Sequence, residues 1–183
     1  MEWSEKNFDI DSFVWVREAV ANKKYAFASD FIRLYVLEKY GGIYVDTDVE
    51  CMKPVEGILD ADFVCGIENF HYGTSGMDGV DEDGIDRKTG KKVGGFGINA
   101  GFIYSEPHAP VLQEILRKWY ENGNKHFINE DGTMKQMIID GVLMNALHSL
   151  YGLKFRDFSQ RLNGGIHVYG SDVISIQQSR NAK

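Results

Sequence analysis

The chain has 183 residues, the size of one domain with room for a real core. Its 43% hydrophobic and 26% charged content is that of a globular protein, and a net charge of −7 argues against nucleic acid, whose phosphates call for basic patches. No stretch approaches a membrane span, and the acidic start from Met1 to Ile10 does not read as a secretion signal. The two cysteines, Cys51 and Cys65, fit no metal-ligand spacing and read as reduced, half-buried thiols.

Met1 to Asp11 is short and polar, with Trp3 and Phe8 as apolar anchors. Asp11 or Ser12 can cap a helix through Val14, Val16, Ala19 and Val20, whose expected role is packing. The stretch Ser29 to Asp48 follows, SDFIRLYVLEKYGGIYVDTD. Phe27, Phe31, Leu34 and Leu37 recur at helical spacing and mark one buried face. Asp30 and Arg33, three apart, project together from a neighbouring face and can reach one ligand or each other. Gly41 and Gly42 end the helix, and Ile43, Tyr44 and Val45 make a short β-prone run. On an extended backbone Asp46 and Asp48 would then share a side. Two carboxylates at the end of such a strand suit magnesium or manganese, which take oxygen ligands from one or two protein carboxylates and from substrate phosphates. An Asp-x-Asp pair also occurs as solvated loop.

The whole run resembles the sugar-binding region of the DXD-motif glycosyltransferases of family 32. That family includes bacterial capsular polysaccharide synthesis proteins and fungal initiating α-1,6-mannosyltransferases, and the clostridial glucosylating toxins are similar over the same run. The shared pattern falls on Ser29, Asp30, Arg33, Leu37, Tyr40, Gly41, Gly42, Tyr44, Asp46 and Asp48. The resemblance, which extends with lower specificity from Trp3 to about Tyr120, implies an α/β domain of the GT-A type, a mixed sheet flanked by helices; length and the lack of a linker make 1–183 a single domain. It implies transfer of a hexose from a UDP- or GDP-sugar to a saccharide or glycolipid acceptor, with anomeric retention and with Mn2+ or Mg2+ as cofactor. Asp46 and Asp48 would hold the metal, and Asp30, Arg33 and Asp46 would carry catalysis. Ser29, Asp30, Arg33, Tyr44, Asp46 and Asn99 would line the substrate pocket. The expected location is the cytoplasm, with peripheral association at the inner face of a membrane left open. Relatives carry an N-terminal strand and helix upstream of what is Trp3 here, and a closing C-terminal segment with His and Trp. This chain is expected to represent the centre of such a protein without both flanks, as a natural short form, a fragment of a longer product or a degenerate copy.

Beyond the run, Pro54 rules out a continuing central strand, Val55 to Leu59 reads as a short turn or helix, and Phe63 to Ile67 as a buried strand before Glu68. His71 to Lys92 is rich in glycine and in charge, with acids at Asp78, Asp81, Glu82, Asp83 and Asp86. Their spacing fails the calcium-loop pattern, so the segment, about 71–95, reads as a mobile loop or exposed hairpin near the site. Gly94 to Ser105 is expected to place Asn99 just before a strand at Phe102-Ile103-Tyr104. There Asn99 either binds the donor sugar, as the resemblance implies, or satisfies turn geometry. Pro107 to Asn122 reads as an amphipathic helix with a stripe of Leu112, Ile115, Leu116 and Trp119, the last as core. Thr133 to Leu150 reads as a second helix through Met134, Met137, Ile138, Val142 and Ala146. Relatives often carry Thr-Gly-Pro near here; this chain has Asp140-Gly141-Val142, and Asp140 could face the site but reads better as a solvated or capping acid. Strand-like pieces surround Phe155 and Ile166 to Tyr169, with His167 structural.

Three other readings stay open: a silent sugar-nucleotide-binding module, a phosphatase with Asp46 as nucleophile, and a structural role in which Asp30 pairs with Arg33. Phosphatase sites of that kind place Thr or Val where Glu50 stands.

Overall fold

The computed structural model describes residues 8–68, 79–93, 97–121 and 125–174. The expectations for Trp3, for 71–78, for Gly94 and for Asn122 therefore concern positions outside the described residues. A 3-10 turn at Ile10–Ser12 leads into α1 (Val14–Ala21) and α2 (Tyr25–Tyr40). Next come β1 (Gly42–Val45), a second 3-10 turn at Glu56–Ile58, β2 (Phe63–Ile67) and β3 (Ile98–Ser105). The chain continues through α3 (Pro110–Glu121), α4 (Ile139–Tyr151), β4 (Gln160–Leu162), β5 (Ile166–Tyr169) and α5 (Ser171–Ile174).

The strands form one mixed sheet in the order β1-β3-β2-β5-β4. β3 runs antiparallel to both β1 and β2, and β2 pairs in parallel with β5. It follows that β1, β2 and β5 point the same way. Their carboxyl ends and the start of β3 therefore meet at one edge of the sheet, where ligands of open α/β sheets sit. This is the mixed α/β, single-domain architecture expected from the sequence, consistent with a GT-A-like region.

One face of the sheet carries Phe63, Cys65, Ile67, Ile103 and Val168 into the core, where α2 and α4 pack on β3. Buried aromatic rings fill the space beyond: Trp15 meets Trp119 and Phe127 edge-on, each at 5.1 Å between centroids. Trp119 is thus core, as its helical stripe predicts. On the other face α5 lies against β2, so close that a side chain at Gly66 would meet Ile174 Cβ at 2.7 Å.

Several boundaries differ from those read in the sequence. The first cap is Asp9, whose carboxylate accepts the Asp11 amide at 3.2 Å; neither Asp11 nor Ser12 caps α1, which begins after an uncapped Phe13. α3 starts at Pro110, three residues late, because His108 takes a positive φ of 61°. α4 starts at Ile139 rather than Thr133. Ahead of it, Asp131 accepts the Thr133 amide at 2.9 Å, Gly132 turns with φ 82°, and Ile128 bridges Met134. Met134 and Met137 still pack on the core, but from this turn and not from a helix. Phe155 is buried outside any strand. Of the two cysteines Cys51 is exposed and Cys65 wholly buried, and burial pushes the Cys65 thiol far up.

Candidate functional site

α2 ends where Gly41 donates its amide to the Leu37 carbonyl at 2.8 Å and takes φ 65°. A Cβ on Gly41 would stand 2.7 Å from Pro107 Cδ and 2.9 Å from the Ser105 carbonyl oxygen, so only glycine lets β1 start there. β1 is an edge strand whose Ile43 and Val45 stay exposed, while Tyr44 turns toward α2. The strand stops at Val45, and Val49 donates back to the Asp46 carbonyl at 3.1 Å. Asp46 and Asp48 thus sit on a turn. The expectation that an extended backbone would place them on one side is corrected: the hydrogen-bonded turn sets their relation instead.

Arg33 is the hub. Its side chain is 8% exposed, and its Nη2 lies 3.0 Å from Asp30 and 3.5 Å from the Ser29 hydroxyl. Nη1 donates to the Ala100 carbonyl at 2.8 Å and lies 3.5 Å from Asp46 Oδ1. The guanidinium carbon stands 4.4 Å over the Tyr44 ring, a cation–π contact, and the Tyr44 hydroxyl donates to Asp46 Oδ1 at 2.6 Å. The sequence-predicted Ser29, Asp30, Arg33, Tyr44 and Asp46 are therefore joined in one network. Asp48 lies exposed beyond it.

Asn99 reaches the same place from β3. It lies within the strand rather than before it, opposite Gly66, where the β2–β3 register shifts. Its side-chain oxygen accepts the Gly101 amide at 2.8 Å. Gly101 also supplies the carbonyl that receives the Asp46 amide at 3.0 Å. A Cβ at Gly101 would stand 3.0 Å from Asn99 Oδ1 and 3.1 Å from Asp46 Oδ2, so the two site side chains converge over a glycine.

Burial dominates the electrostatics. It raises Asp30 to about 6 against the pull of Arg33, with Asp140 and Asp46 adding repulsion. Burial likewise raises Asp140, against the pull of Arg33 and with repulsion from Asp46, and raises Glu68, with repulsion from Asp140. Asp140 is thus half-buried beside the site, contrary to its reading as a solvated acid. Sequence reasoning missed Glu68, Gly101 and the Ala100 carbonyl. The antiparallel pairing of β3 brings Gly101 to Asp46 and the Ala100 carbonyl to Arg33, while the Glu68 amide bonds Gly97.

Elsewhere, His167 is buried with Nδ1 2.8 Å from Asp60 Oδ1, and Arg161 pairs with the other oxygen of Asp60. In 79–93 Asp81 and Asp86 accept backbone amides of their own turns, and a side chain at Gly84 would meet the Phe155 ring at 2.7 Å. Among the described residues no helix is long and apolar enough to cross a membrane.

Residues 2–64 match the family model described as the glycosyltransferase sugar-binding region containing the DXD motif. The matched stretch covers α1, α2, β1 and the Asp46 turn, and so contains every residue of the Arg33 network except those from β3 and α4. It supports a sugar-binding region of glycosyltransferase type in this part of the chain. A search of curated proteins gives no significant match.

Proposed function

We propose that this protein moves a hexose from a UDP- or GDP-sugar to a hydroxyl of a saccharide or glycolipid acceptor, with retention, in polysaccharide or glycoconjugate synthesis of the family-32 kind. The observation that carries this reading is the buried Arg33 joining Asp30 to Asp46 at the carboxyl edge of the sheet, within the stretch that matches the sugar-binding region.

The donor set fits a hard divalent cation. Asp46 engages Tyr44 and Arg33 through Oδ1, which leaves Oδ2 outside those contacts, and Asp48, two residues on, is exposed. Among the described residues no group of three or more His, Cys, Asp or Glu side chains forms a metal cage. Two carboxylates are what Mn2+ or Mg2+ needs from a protein when substrate phosphates and water complete the shell. Asp46 and Asp48 would hold it, and the ion would neutralise charge on the diphosphate leaving group.

The chain's own residues divide the remaining work. Asp30, once ionised, accepts hydrogen bonds from sugar hydroxyls and can donate none. Arg33 offers its guanidinium to the sugar or to the diphosphate, whose oxygens its planar fork matches. Ser29 and the Tyr44 ring shape the pocket, and Asn99 closes it from β3. No enzymic nucleophile is assigned, so a front-face displacement, stabilised electrostatically by Arg33, is the economical route. The proposed location is the cytoplasm, at the inner face of the membrane when the acceptor is a glycolipid.

Calorimetric titration of UDP, GDP and their hexose conjugates, with manganese present, tests the reading on wild type and Asp48→Ala. Metal-dependent binding that Asp48→Ala abolishes is the expected result, and donor turnover then separates an enzyme from a silent binding module. No binding by the folded wild-type protein would overturn it.

A further inference from the structure

We propose that Asp140, at the head of α4, is a third carboxylate of the sugar pocket beside Asp30 and Asp46, and that it helps decide which hexose is accepted. This rests on the nucleotide-sugar reading above and adds a residue that lies outside the matched stretch.

The placement comes from the way α4 meets the sheet. Asp140 stands in the first turn of α4, four residues before Met144, and side chains four apart share a helix face. Met144 is buried on that face, its sulfur 4.0 Å from the Cβ position of Gly97. Gly97 accepts the Glu68 amide at 2.7 Å and lies two residues before Asn99. The head of α4 is thereby held near the strand ends that carry Glu68 and Asn99. From there the charge of Asp140 is felt by Asp30 and Glu68, and Asp140 in turn feels the attraction of Arg33 and the repulsion of Asp46.

A structural role accounts poorly for such an acid. Arg33 is already in contact with Asp30 and Asp46, so a further half-buried carboxylate beside them meets repulsion as well as attraction. Arg33 Nε is itself buried with no acceptor among the described residues. Groups held against one another in a cleft serve a ligand more readily than they serve the fold. A sugar supplies what carboxylates lack, since its hydroxyls donate and an ionised carboxylate only accepts. Acids on two walls, Asp30 on α2 and Asp140 on α4, would read hydroxyls at different ring positions. Pockets built to bond a particular hydroxyl discriminate strongly against sugars that place it elsewhere.

The test titrates UDP, GDP, UDP-glucose and GDP-mannose with Mn2+ into the full chain as wild type, Asp48→Ala, Asp140→Asn and Asp140→Glu. Asp140→Asn should bind the bare nucleoside diphosphate as wild type does and the sugar conjugate roughly tenfold or more weakly. Asp140→Glu keeps the charge, displaces it, and should show the same split. Melting curves for both variants establish that they fold, and the bare-nucleotide arm reports on the site independently of the sugar. Wild-type affinity for the conjugate in both variants would overturn the role of Asp140, as would an equal loss for nucleotide and conjugate. Those results would leave the wider reading intact so long as Asp48→Ala abolishes binding. If wild type binds none of the four ligands, the wider reading fails and this proposal falls with it.

Discussion

Just before β2, one acid serves two basic side chains: Asp60 takes His167 on one oxygen and Arg161 on the other. At the far end of the same strand the proportion is reversed, and one arginine stands among Asp30, Asp46 and Asp140. The electrostatic consequences are opposite. Hydrogen bonds from His167 and Arg161 hold Asp60 below the usual carboxylate range, whereas burial holds Asp30 and Asp140 above it. The first arrangement ties two strands and a loop together with its charges satisfied. The second keeps acids in surplus, a costly arrangement for folding alone and the one on which the proposed sugar pocket rests.

The contrast is broken most severely at Arg33. Arg33→Ala strands Asp30 and Asp46 without their partner, and removing one member of a buried pair costs on the order of 3–5 kcal/mol. Urea unfolding should report that loss, and nucleotide-sugar binding should vanish with it.

Asp30→Asn should act in the opposite direction. The Asp30 carboxyl moves from an ordinary value of 3.8 to about 6 in the folded chain. The folded state therefore binds the proton more tightly, and stability falls as pH rises from about 4 through about 6. The loss is at most about 3 kcal/mol and is complete at neutral pH. Replacing the carboxyl by an amide should flatten this part of the profile and raise the melting temperature at pH 7.5, while weakening sugar binding. A variant that melts lower at pH 7.5 would show that Arg33 outweighs burial.

Gly101→Ala touches the same network from below. The added methyl group crowds the tips of Asn99 and Asp46 and touches Val49 at ordinary contact distance, so the fold should lose about 1–2 kcal/mol, the low end of overpacking, while manganese-dependent binding falls far more. Equal losses in thermal melting and calorimetry would remove Gly101 from the site.

The smallest effect belongs to the satisfied assembly. Asp60 is bonded in its ionised form, so its contribution is present above the usual carboxylate range and lost as pH falls through its lowered value. Asp60→Asn should cost under about 1 kcal/mol at neutral pH and leave ligand binding unchanged, because the pairs are partly exposed.

The sequence made the near half of the site legible and hid the far half for a physical reason. Phe31, Leu34 and Leu37 announce α2 by their period, the glycine pair announces its end, and Asp30 and Arg33 lie one helical turn apart. These are local relations. Gly101, Glu68 and Asp140 reach the site through strand pairing and through the seat of α4 on β3, which no window along the chain contains. The misreading of α4 has a local cause as well. Met134 and Met137 keep helical spacing, but the bonded turn at Asp131 and Gly132 takes that stretch out of the helix. Asp46 and Asp48 illustrate the same competition, since the period-two rule presumes a strand that stops at Val45.

The pairing order also sets when the site can first exist. Gly42 finds its partner at Ser105, and Phe63 pairs with Ile166 near the end of the chain. As the polypeptide leaves the ribosome, Arg33 and the Asp46 turn emerge well before the Ala100 carbonyl and Gly101 that complete their bonds. The β2 strand waits longer still for β5. Contacts this distant in sequence close slowly. Until β3 and α4 arrive, Asp30, Arg33 and Asp46 are held apart from the β3 carbonyls and from Asp140, and the crowding of these charges is felt only then.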